Sequence, residues 1–336
     1  MRIVLTGGAG FIGTHILVAA LDANHEVLIV DNFVNSSPKS LAALKGMGYS
    51  KFDFVEADLC DTPKIEEAFL AFKPDIVIHL AGLKAVGESV EKPLMYYEQN
   101  ILSTTSLLKA MQTSGCFNIV FSSSATVYGD PQVLPLDESH GMAPTNPYGK
   151  TKYFIEEILK DWCKANEKAR SICLRYFNPV GAHESGEIGE DPRGVPNNLM
   201  PYIAQVAAGK REFLSVYGDD YDTKDGTGVR DYIHVCDLAE AHIAAVENIE
   251  KINGWEPINV GTGEGYSVLE MRNAYLRACN QKIDYKIAPR REGDIGTCYA
   301  KADKANTLLN WKAKRDLEEM CNSSWQFQSK HPNGYE

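Results

Sequence analysis

The sequence has 336 residues, of which 34 are lysine or arginine and 45 are aspartate or glutamate, for a formal net charge of −11. This acidic balance excludes a diffuse basic surface, so we expect no nucleic-acid partner. With 44% hydrophobic and 24% charged residues, the composition is that of a globular chain rather than a disordered or fibrous one. The length allows one large domain or two coupled domains.

The eight cysteines and eight histidines are scattered along the chain. The sequence lacks Cys-X-X-Cys and His-Glu-X-X-His spacings, so we expect no metal site. We interpret the cysteines as free thiols of a reducing compartment. Apolar runs fall short of the roughly 20 residues of a membrane span, and the run at residues 3–5 is too short for the core of a signal peptide. The expected location is the cytosol, without a membrane partner.

Short apolar runs alternate with helical periodicity through the first half of the chain. A helix is predicted over residues 11–21, directly after the first strand. The predicted strands cover residues 2–6, 25–31, 51–58, 75–80, 118–123 and 170–175. Strands of this length between helical segments form βαβ units, and therefore a parallel sheet covered on both faces. The expected fold class is α/β, a Rossmann-like doubly wound parallel sheet.

After about residue 177 the alternation gives way to Gly- and Pro-rich stretches, such as residues 178–181 and 190–196. We expect a smaller α/β substrate-binding region there, at the C-terminal ends of the strands, where open α/β sheets bind their ligands. Residues 229–235 lead into a helix predicted over 237–247 that returns to the first unit. The predicted domains are residues 1–177, with a returning segment near 229–250, and residues 178–336.

A glycine-rich turn follows the first predicted strand directly. Gly7, Gly10 and Gly13 form a GxxGxxG pattern that opens a helix, as in turns that bring backbone N–H groups to a pyrophosphate. Asp31 ends the second strand, where a carboxylate can accept hydrogen bonds from an adenosine ribose and would repel a 2′-phosphate. The alternative is an aspartate that only caps a turn. In this context the pattern predicts an NAD-binding site and favours NAD over NADP.

A second pattern lies at the start of the helix predicted after residue 146. Tyr148 and Lys152 are four residues apart and share one helix face. A tyrosine base that works near pH 7 needs its pKa lowered from about 10, which a neighbouring ammonium favours. The spacing alone is also typical of a solvated helix face. Ser124, at the C-terminal end of the fifth strand, adds a hydroxyl that can meet both Tyr148 and a substrate alcohol.

With these motifs the sequence resembles the extended short-chain dehydrogenase/reductase superfamily and, within it, the UDP-glucose 4-epimerases. The resemblance covers nearly the whole chain. It is carried, in order, by residues 82–89 (GLKAVGES), 121–129 (FSSSATVYG), 174–183 (LRYFNPVGAH), 196–205 (PNNLMPYIAQ), 225–235 (DGTGVRDYIHV) and 288–294 (APRREGD). Six long segments in one order are far more specific than any single motif.

The resemblance implies a tightly bound NAD that takes a hydride from C4 of a UDP-hexose and returns it to the opposite face of a 4-keto sugar. It implies Tyr148 as the base, Ser124 as the partner of the C4 oxygen, and Lys152 as the group that lowers the Tyr148 pKa and contacts the nicotinamide ribose. The implied cofactor contacts are Gly7, Gly10, Phe11, Ile12, Gly13, Asp31, Asn32, Asn35, Ser36, Asp58, Leu59, Leu80, Ala81, Gly82, Lys84, Gln99, Ser122, Tyr148, Lys152 and Phe177. Gln99 replaces the family's usual Asn, and core packing is the alternative for Leu59 and Phe177.

The implied UDP-sugar contacts are Lys84, Ser124, Tyr148, Asn178, Asn198, Leu199, Val216, Tyr217, Arg230, Arg291, Asp294 and Cys298. Arg230 and Arg291 suit diphosphate oxygens. Cys298 falls where the family has a residue beside the sugar C2 group. A bulky Tyr there restricts family members to UDP-glucose and UDP-galactose, so Cys298 predicts that the N-acetylated UDP-hexoses are also substrates. The alternatives are a packing cysteine, or a one-residue shift that places Tyr299 in the pocket.

Two other functions stay open at this point. A nucleotide-sugar 4,6-dehydratase shares the fold, NAD and the Tyr-Lys pair, but its elimination step needs a further acid and base beside the serine. That family places an Asp-Glu pair there, where this chain has Ala125-Thr126. A non-catalytic dinucleotide sensor would need the glycine turn alone, without Ser124, Tyr148 and Lys152 together.

The resemblance also implies a homodimer formed through two helices of each subunit, near residues 90–113 and 148–166. The apolar residues of the first of these helices exceed what one buried face requires. They are Ile101, Leu102, Leu107, Leu108 and Met111. The alternative is that the two helices only cover the sheet.

Overall fold

The structure, a computed structural model, describes residues 1–291 and 294–335. Its strands are β1 (Arg2–Thr6), β2 (Glu26–Asp31), β3 (Asp53–Glu56), β4 (Ile76–His79), β5 (Asn118–Ser124), β6 (Arg170–Tyr176), β7 (Asn178–Val180), β8 (Leu214–Tyr217), β9 (Val229–His234), β10 (Gly254–Val260), β11 (Gly265–Ser267), β12 (Tyr285–Ala288) and β13 (Thr297–Cys298). Its helices are α1 (Phe11–Asp22), α2 (Pro38–Gly46), α3 (Thr62–Phe72), α4 (Val86–Glu91), α5 (Pro93–Ser114), α6 (Pro147–Ala165), α7 (Leu199–Ala207), α8 (Val235–Glu247), α9 (Val268–Cys279), α10 (Asp303–Leu309) and α11 (Leu317–Lys330). Short 3₁₀ turns cover Ala125–Val127 and Ile249–Lys251.

Seven strands form one parallel sheet in the order β10-β6-β5-β4-β1-β2-β3. All six strands expected from the sequence lie in it, which confirms the predicted fold class. The seventh strand, β10, was not predicted, because Glu256 and Pro257 interrupt its apolar run. Pro257 is compatible with this strand because β10 lies at the edge of the sheet. The chain order reverses between β1 and β4, which opens a ligand crevice at the carboxyl ends of these two strands.

Both faces of this sheet are apolar because successive side chains of each strand point to opposite sides. Ile3 and Leu5 lie in a core cluster with residues of α1 and α8, whereas Val4 lies in a second cluster with residues of α3, α5 and α6. Helix α8 packs directly against α1. A segment from the second half of the chain therefore completes the first unit.

The smaller region contains two further sheets. Strand β9 pairs with β11, β13 and β7, and β8 pairs with β12. Helices α7, α9 and α11 cover these strands through a core of their own. Because α8 and β10 belong to the first unit, the chain passes between the two units more than once, and the domain division after residue 177 stays a prediction. No helix in the described part of the chain combines the length and apolar character needed to cross a bilayer.

Candidate active site

The glycine turn between β1 and α1 leaves no room for side chains. Gly7 has a φ of +69°, and a Cβ on it would lie 2.9 Å from the backbone nitrogen of Ala81 at the end of β4. A Cβ on Gly13 would collide with the Gly7 carbonyl oxygen. No side chain of the described residues caps the N-terminus of α1. The free N–H groups of its first turn therefore fit a pyrophosphate held across this turn.

Asp31, at the end of β2, is buried and joins the glycine turn to the next loop. Its carboxylate accepts hydrogen bonds from the backbone N–H of Ala9 (3.0 Å) and Phe33 (2.9 Å) and from the Ser36 hydroxyl (2.8 Å). A carboxylate has about four acceptor positions, so Asp31 can accept one more hydrogen bond. Asp31 therefore caps the turn that follows β2, which was the alternative to a role in NAD binding. The remaining acceptor position still allows it to bind a ribose hydroxyl.

Several polar residues expected at the cofactor line the exposed side of this crevice. The Asn32 amide donates a 3.1 Å hydrogen bond to the Asp58 carboxylate, and the Cys60 thiol lies 3.7 Å from the Gln99 side-chain oxygen. The exposed members of the set are Asn32, Asn35, Asp58, Gly82, Lys84 and Gln99, and the half-buried ones are Phe11, Ile12, Ser36, Leu80 and Ala81. Leu59 and Phe177 are buried in apolar clusters, as their packing alternative describes.

Sequence reasoning missed Asn100, which fixes the loop after β4. Its side-chain oxygen accepts a hydrogen bond from Leu83 N–H (2.8 Å), and its amide donates to the Leu83 carbonyl (3.0 Å) and the Thr151 hydroxyl (3.1 Å). Asn100 thus ties the loop that carries Gly82 and Lys84 to helix α6. The signal that could have identified Asn100 is a side-chain amide on the face of α5 that is buried. A buried amide needs hydrogen-bond partners and therefore indicates a structural contact.

Tyr148 lies in the first turn of α6. The helix starts here because the Asn146 side chain accepts from Gly149 N–H (2.9 Å) and Pro147 occupies the first helical position. The N–H of Tyr148 donates to the buried Ser89 hydroxyl (3.1 Å). These contacts fix the helix end that carries the candidate base.

Lys152 follows one turn later and is also buried. Its ammonium donates a 2.7 Å hydrogen bond to the Ser122 carbonyl and lies 5.9 Å from the Tyr148 ring centroid. At the end of β5 the Ser124 hydroxyl accepts hydrogen bonds from Thr126 N–H (3.2 Å) and the Thr126 hydroxyl (2.9 Å). Helix α6 and the end of β5 therefore bring Ser124, Tyr148 and Lys152 together.

Burial is the main influence on the pKa values of Tyr148 and Lys152. Burial raises the pKa of the Tyr148 phenol above its usual value, with the Ser124 hydroxyl acting in the opposite direction. Burial lowers the pKa of Lys152 to about 8, and the Glu156 carboxylate opposes this. Burial dominates at the phenol, because the Lys152 ammonium is bound to a carbonyl, and the lowering of the Tyr148 pKa by Lys152 that the resemblance implies stays a prediction.

Part of the expected UDP-sugar set meets at the end of β8. The Arg291 guanidinium donates a 2.8 Å hydrogen bond to Asp294 and lies 4.6 Å above the Tyr217 ring centroid. Arg230, on β9, donates to the carbonyl of Gly296 (3.3 Å). Both guanidiniums are thereby held in the smaller region. Val216 is buried in its core, which leaves no side-chain surface for a ligand.

Asn198 and Lys84 both lie beside the carboxylate of Glu190, a residue that sequence reasoning missed. The Asn198 amide donates a 2.7 Å hydrogen bond to the Glu190 carboxylate, and the Lys84 ammonium lies 3.9 Å from the same oxygen. Burial raises the pKa of Glu190. Asn178 is exposed at the start of β7, and Leu199 is half-buried at the start of α7.

Cys298 is buried on β13, in register with Arg230 of β9. It lies in a cluster with Val127, Phe177 and Ala300, close to the end of β5. The next residue, Tyr299, packs near Gly265 of β11. Cys298 and Tyr299, the residue just after β13, therefore have different surroundings.

Comparison with known proteins gives consistent matches over the whole chain. A family model described as GDP-mannose 4,6 dehydratase matches residues 4–324. UDP-glucose 4-epimerase of Bacillus subtilis is 52% identical over 335 residues, which cover 100% of this chain and 99% of that protein. The human UDP-glucose 4-epimerase is 50% identical over 341 residues, 99% of this chain and 98% of that protein.

The fold is also similar to solved structures. The crystal structure of UDP-glucose 4-epimerase from Bifidobacterium longum in complex with NAD⁺ and UDP has a TM-score of 0.96 and 50% sequence identity, with 99% of this chain and 100% of that chain covered. Together with the residues gathered at the ends of β1, β4 and β5, these matches show that the chain belongs to the UDP-glucose 4-epimerase family of the short-chain dehydrogenases/reductases.

Proposed function

We propose that the chain is an NAD-dependent 4-epimerase that interconverts UDP-glucose and UDP-galactose. The observation that carries this proposal is the meeting of Ser124, Tyr148 and Lys152 at the same edge of the parallel sheet as the glycine turn, whose open helix end and Asp31 fit NAD. When bound, the oxidised nicotinamide accepts and returns the hydride, so that NAD is regenerated in each turnover, and its positive charge favours the tyrosine phenolate.

The residues of the chain have separate tasks in this reaction. Tyr148 takes the proton of the sugar C4 hydroxyl and later gives it back to the C4 oxygen. Ser124 hydrogen-bonds the same oxygen and shares the proton path. Lys152, fixed on the Ser122 carbonyl at 2.7 Å, adds positive charge beside the phenol. Arg230 and Arg291 bind the diphosphate through charge-assisted hydrogen bonds.

The 3₁₀ turn after Ser124 favours epimerisation over the dehydratase alternative. Ala125 and Thr126 occupy this turn, and the Thr126 hydroxyl donates to Ser124. Neither side chain can act as the additional acid or base that elimination of water requires. The chain therefore has the groups for oxidation and reduction at C4 without those for a dehydration step at these positions.

Product analysis with purified protein and four UDP-sugars tests the proposed function. We expect UDP-glucose and UDP-galactose to interconvert without net NADH formation. A 4-keto-6-deoxy product would favour the dehydratase, and NADH in stoichiometric amounts would favour a reductase. The Tyr148→Phe variant separates the enzyme from the non-catalytic sensor, since the enzyme binds UDP-sugar but loses most of its turnover.

We also propose that UDP-N-acetylglucosamine and UDP-N-acetylgalactosamine are substrates. The small side chain of Cys298 supports this range, because it borders Phe177 and Val127 near the end of β5. The position of the Tyr299 side chain near Gly265, away from the cluster that holds Cys298, argues against the one-residue shift. The same four-sugar assay tests this extension, and turnover of the plain UDP-hexoses alone would contradict it.

A homodimer through α5 and α6 is the proposed assembly. Leu94 (80% exposed), Leu102 (42%) and Phe154 (41%) are exposed apolar side chains of these two helices. Leu107, Leu108 and Met111 are buried in the core instead, so they do not contribute to the argument. Light scattering during size-exclusion chromatography checks the proposal, since a dimer has twice the chain mass of 37.2 kDa.

The proposed setting is the cytosol. All eight cysteines of the chain are free thiols in the structure, which fits a reducing compartment. Fractionation of cells followed by immunoblotting measures the location directly.

A further inference from the structure

Helix α6 buries three polar or charged side chains at four-residue intervals. Tyr148 and Lys152 face the candidate active site, and Glu156 follows one turn later. Glu156 is 0% exposed, and its partner Arg175 on β6 is 1% exposed. The proposed reaction gives roles to Tyr148 and Lys152 but assigns none to Glu156.

Both oxygens of the Glu156 carboxylate are engaged. The Arg175 Nε donates to Oε1 (3.0 Å) and Oε2 (3.2 Å), and its Nη2 donates to Oε2 (2.6 Å). The Ser123 hydroxyl donates to Oε1. On its other side, Arg175 Nη1 donates to the Tyr128 hydroxyl (3.2 Å), which donates to the Asn259 side-chain oxygen (2.6 Å). The carboxylate therefore links α6 to β5, β6 and, through Tyr128, β10.

The contact with Ser123 places this link at the candidate active site. Ser123 lies between Ser122, whose carbonyl accepts the Lys152 hydrogen bond, and Ser124, the expected partner of the C4 oxygen. Because successive residues of a strand face opposite sides, Glu156, which binds Ser123, contacts β5 from the face opposite the Ser124 side chain. It fixes the end of β5 against the helix that carries Tyr148.

We propose that Glu156 is a positioning residue for the reaction, one that holds the end of β5 in register with α6 so that Ser124, Tyr148 and Lys152 keep their mutual geometry. The inference rests on the proposed function of these three residues. The charge of Glu156 also acts on Lys152, because the carboxylate opposes the lowering of the Lys152 pKa by burial. The Arg175 guanidinium in turn balances the negative charge of the buried Glu156 carboxylate.

The first test is the Glu156→Gln variant. It keeps the size of the side chain and an oxygen that can accept from Ser123. It removes the charge that Arg175 and Lys152 face. In the purified, folded variant we expect kcat for UDP-galactose to fall by about 10- to 100-fold, with KM changed by less than about 3-fold, because misplaced catalytic groups slow the chemical step more than binding. An unchanged kcat would overturn the inference.

A double variant separates positioning from a general structural role. Removing one partner of a buried ion pair destabilises a protein, whereas replacing both is often tolerated. We expect Glu156→Gln combined with Arg175→Met to regain the thermal midpoint that Glu156→Gln loses, while kcat stays low. Recovery of kcat together with the thermal midpoint would reduce Glu156 to a structural role and overturn the inference.

Three further variants complete the experiment. Ser123→Ala removes only the contact to β5, and we expect kcat to fall with KM unchanged. Glu157→Gln changes the neighbouring residue, which pairs with Lys160 at the surface, and should leave both constants unchanged. Tyr148→Phe reports on the proposed function itself. Turnover retained by Tyr148→Phe contradicts the proposed function, whereas an inactive Tyr148→Phe beside a fully active Glu156→Gln contradicts only the role of Glu156.

Discussion

Lys152 donates its hydrogen bond to the main-chain carbonyl of Ser122, at 2.7 Å, rather than to the Tyr148 phenol. The ammonium is thus fixed by the strand that carries Ser124, and its position does not depend on the state of the tyrosine. The phenol, whose pKa burial raises, needs nearby positive charge before it can act as a base. A fixed ammonium is one source of that charge, and the oxidised nicotinamide is the other.

Lys152→Ala should lower kcat by about 100-fold or more, in the range typical of a lost proton-transfer contribution. The variant loses the charge beside Tyr148 and leaves the Ser122 carbonyl without its donor. Steady-state epimerisation of UDP-galactose measures the effect. Lys150→Ala, on the exposed side of the same helix, is the matched control and should keep the normal rate. Equal rates in both variants would contradict the role of Lys152.

Asp31→Asn should weaken NAD retention by about 10- to 100-fold, the range expected when hydrogen bonds lose a charged acceptor. The variant should also tolerate NADP better, because the carboxylate that repels a 2′-phosphate is gone. The measurement is the molar ratio of NAD to protein after gel filtration, together with competition by NADP. Asp53→Asn on the exposed side of β3 is the control, and an equal NAD content in the two variants would contradict the prediction.

Cys298→Tyr should remove turnover of the N-acetylated UDP-hexoses and spare that of UDP-glucose and UDP-galactose. The larger ring fills the space that the cysteine leaves beside Phe177 and Val127. The ratio of kcat/KM for the acetylated and plain sugars measures this effect. Tyr299→Ala is the paired variant, because the side chain of Tyr299 lies near Gly265 instead. A change of that ratio in Tyr299→Ala but not in Cys298→Tyr would support the shifted register.

Buried histidines should make the fold sensitive to acid. Burial lowers the pKa of His15, His79 and His234 to about 3 and that of His242 to about 4. Their usual pKa in an unfolded chain is about 6.5, so the unfolded state binds more protons below that pH. The stability contributed by the neutral rings is complete above about pH 6.5 and is lost as the pH falls toward 4, by about 1.4 kcal/mol per pH unit for each ring.

Urea unfolding at pH 7 and pH 5 checks this prediction. We expect a lower free energy of unfolding at pH 5. His242→Gln should reduce the difference, because one ring that must be protonated is gone. Equal free energies at the two pH values would show that these rings do not control acid stability.

The sequence predicted those features that depend on local patterns. The glycine turn, the strand ends and the Tyr148–Lys152 spacing all follow from residues close together in the chain. The strand β10 was hidden because an edge strand tolerates Pro257 and Glu256, which a central strand would not. The partnership of Glu156 with Arg175 was also hidden, since charged residues are expected at the surface unless they are paired. Their pairing depends on the register of α6 against β6, which residue patterns do not reveal.

The position of β10 determines when the seven-stranded sheet can be completed. β10 pairs with β6, and α8 covers α1, so residues beyond 230 complete a sheet that begins at Arg2. A chain cut after residue 177 would expose the edge of β6 and the apolar face of α1 to water. During synthesis, the first sheet cannot be finished until residue 260, the end of β10, has left the ribosome. The edge of β6 therefore stays unpaired until most of the chain has been synthesised, and an unpaired strand edge is a site where aggregation can begin.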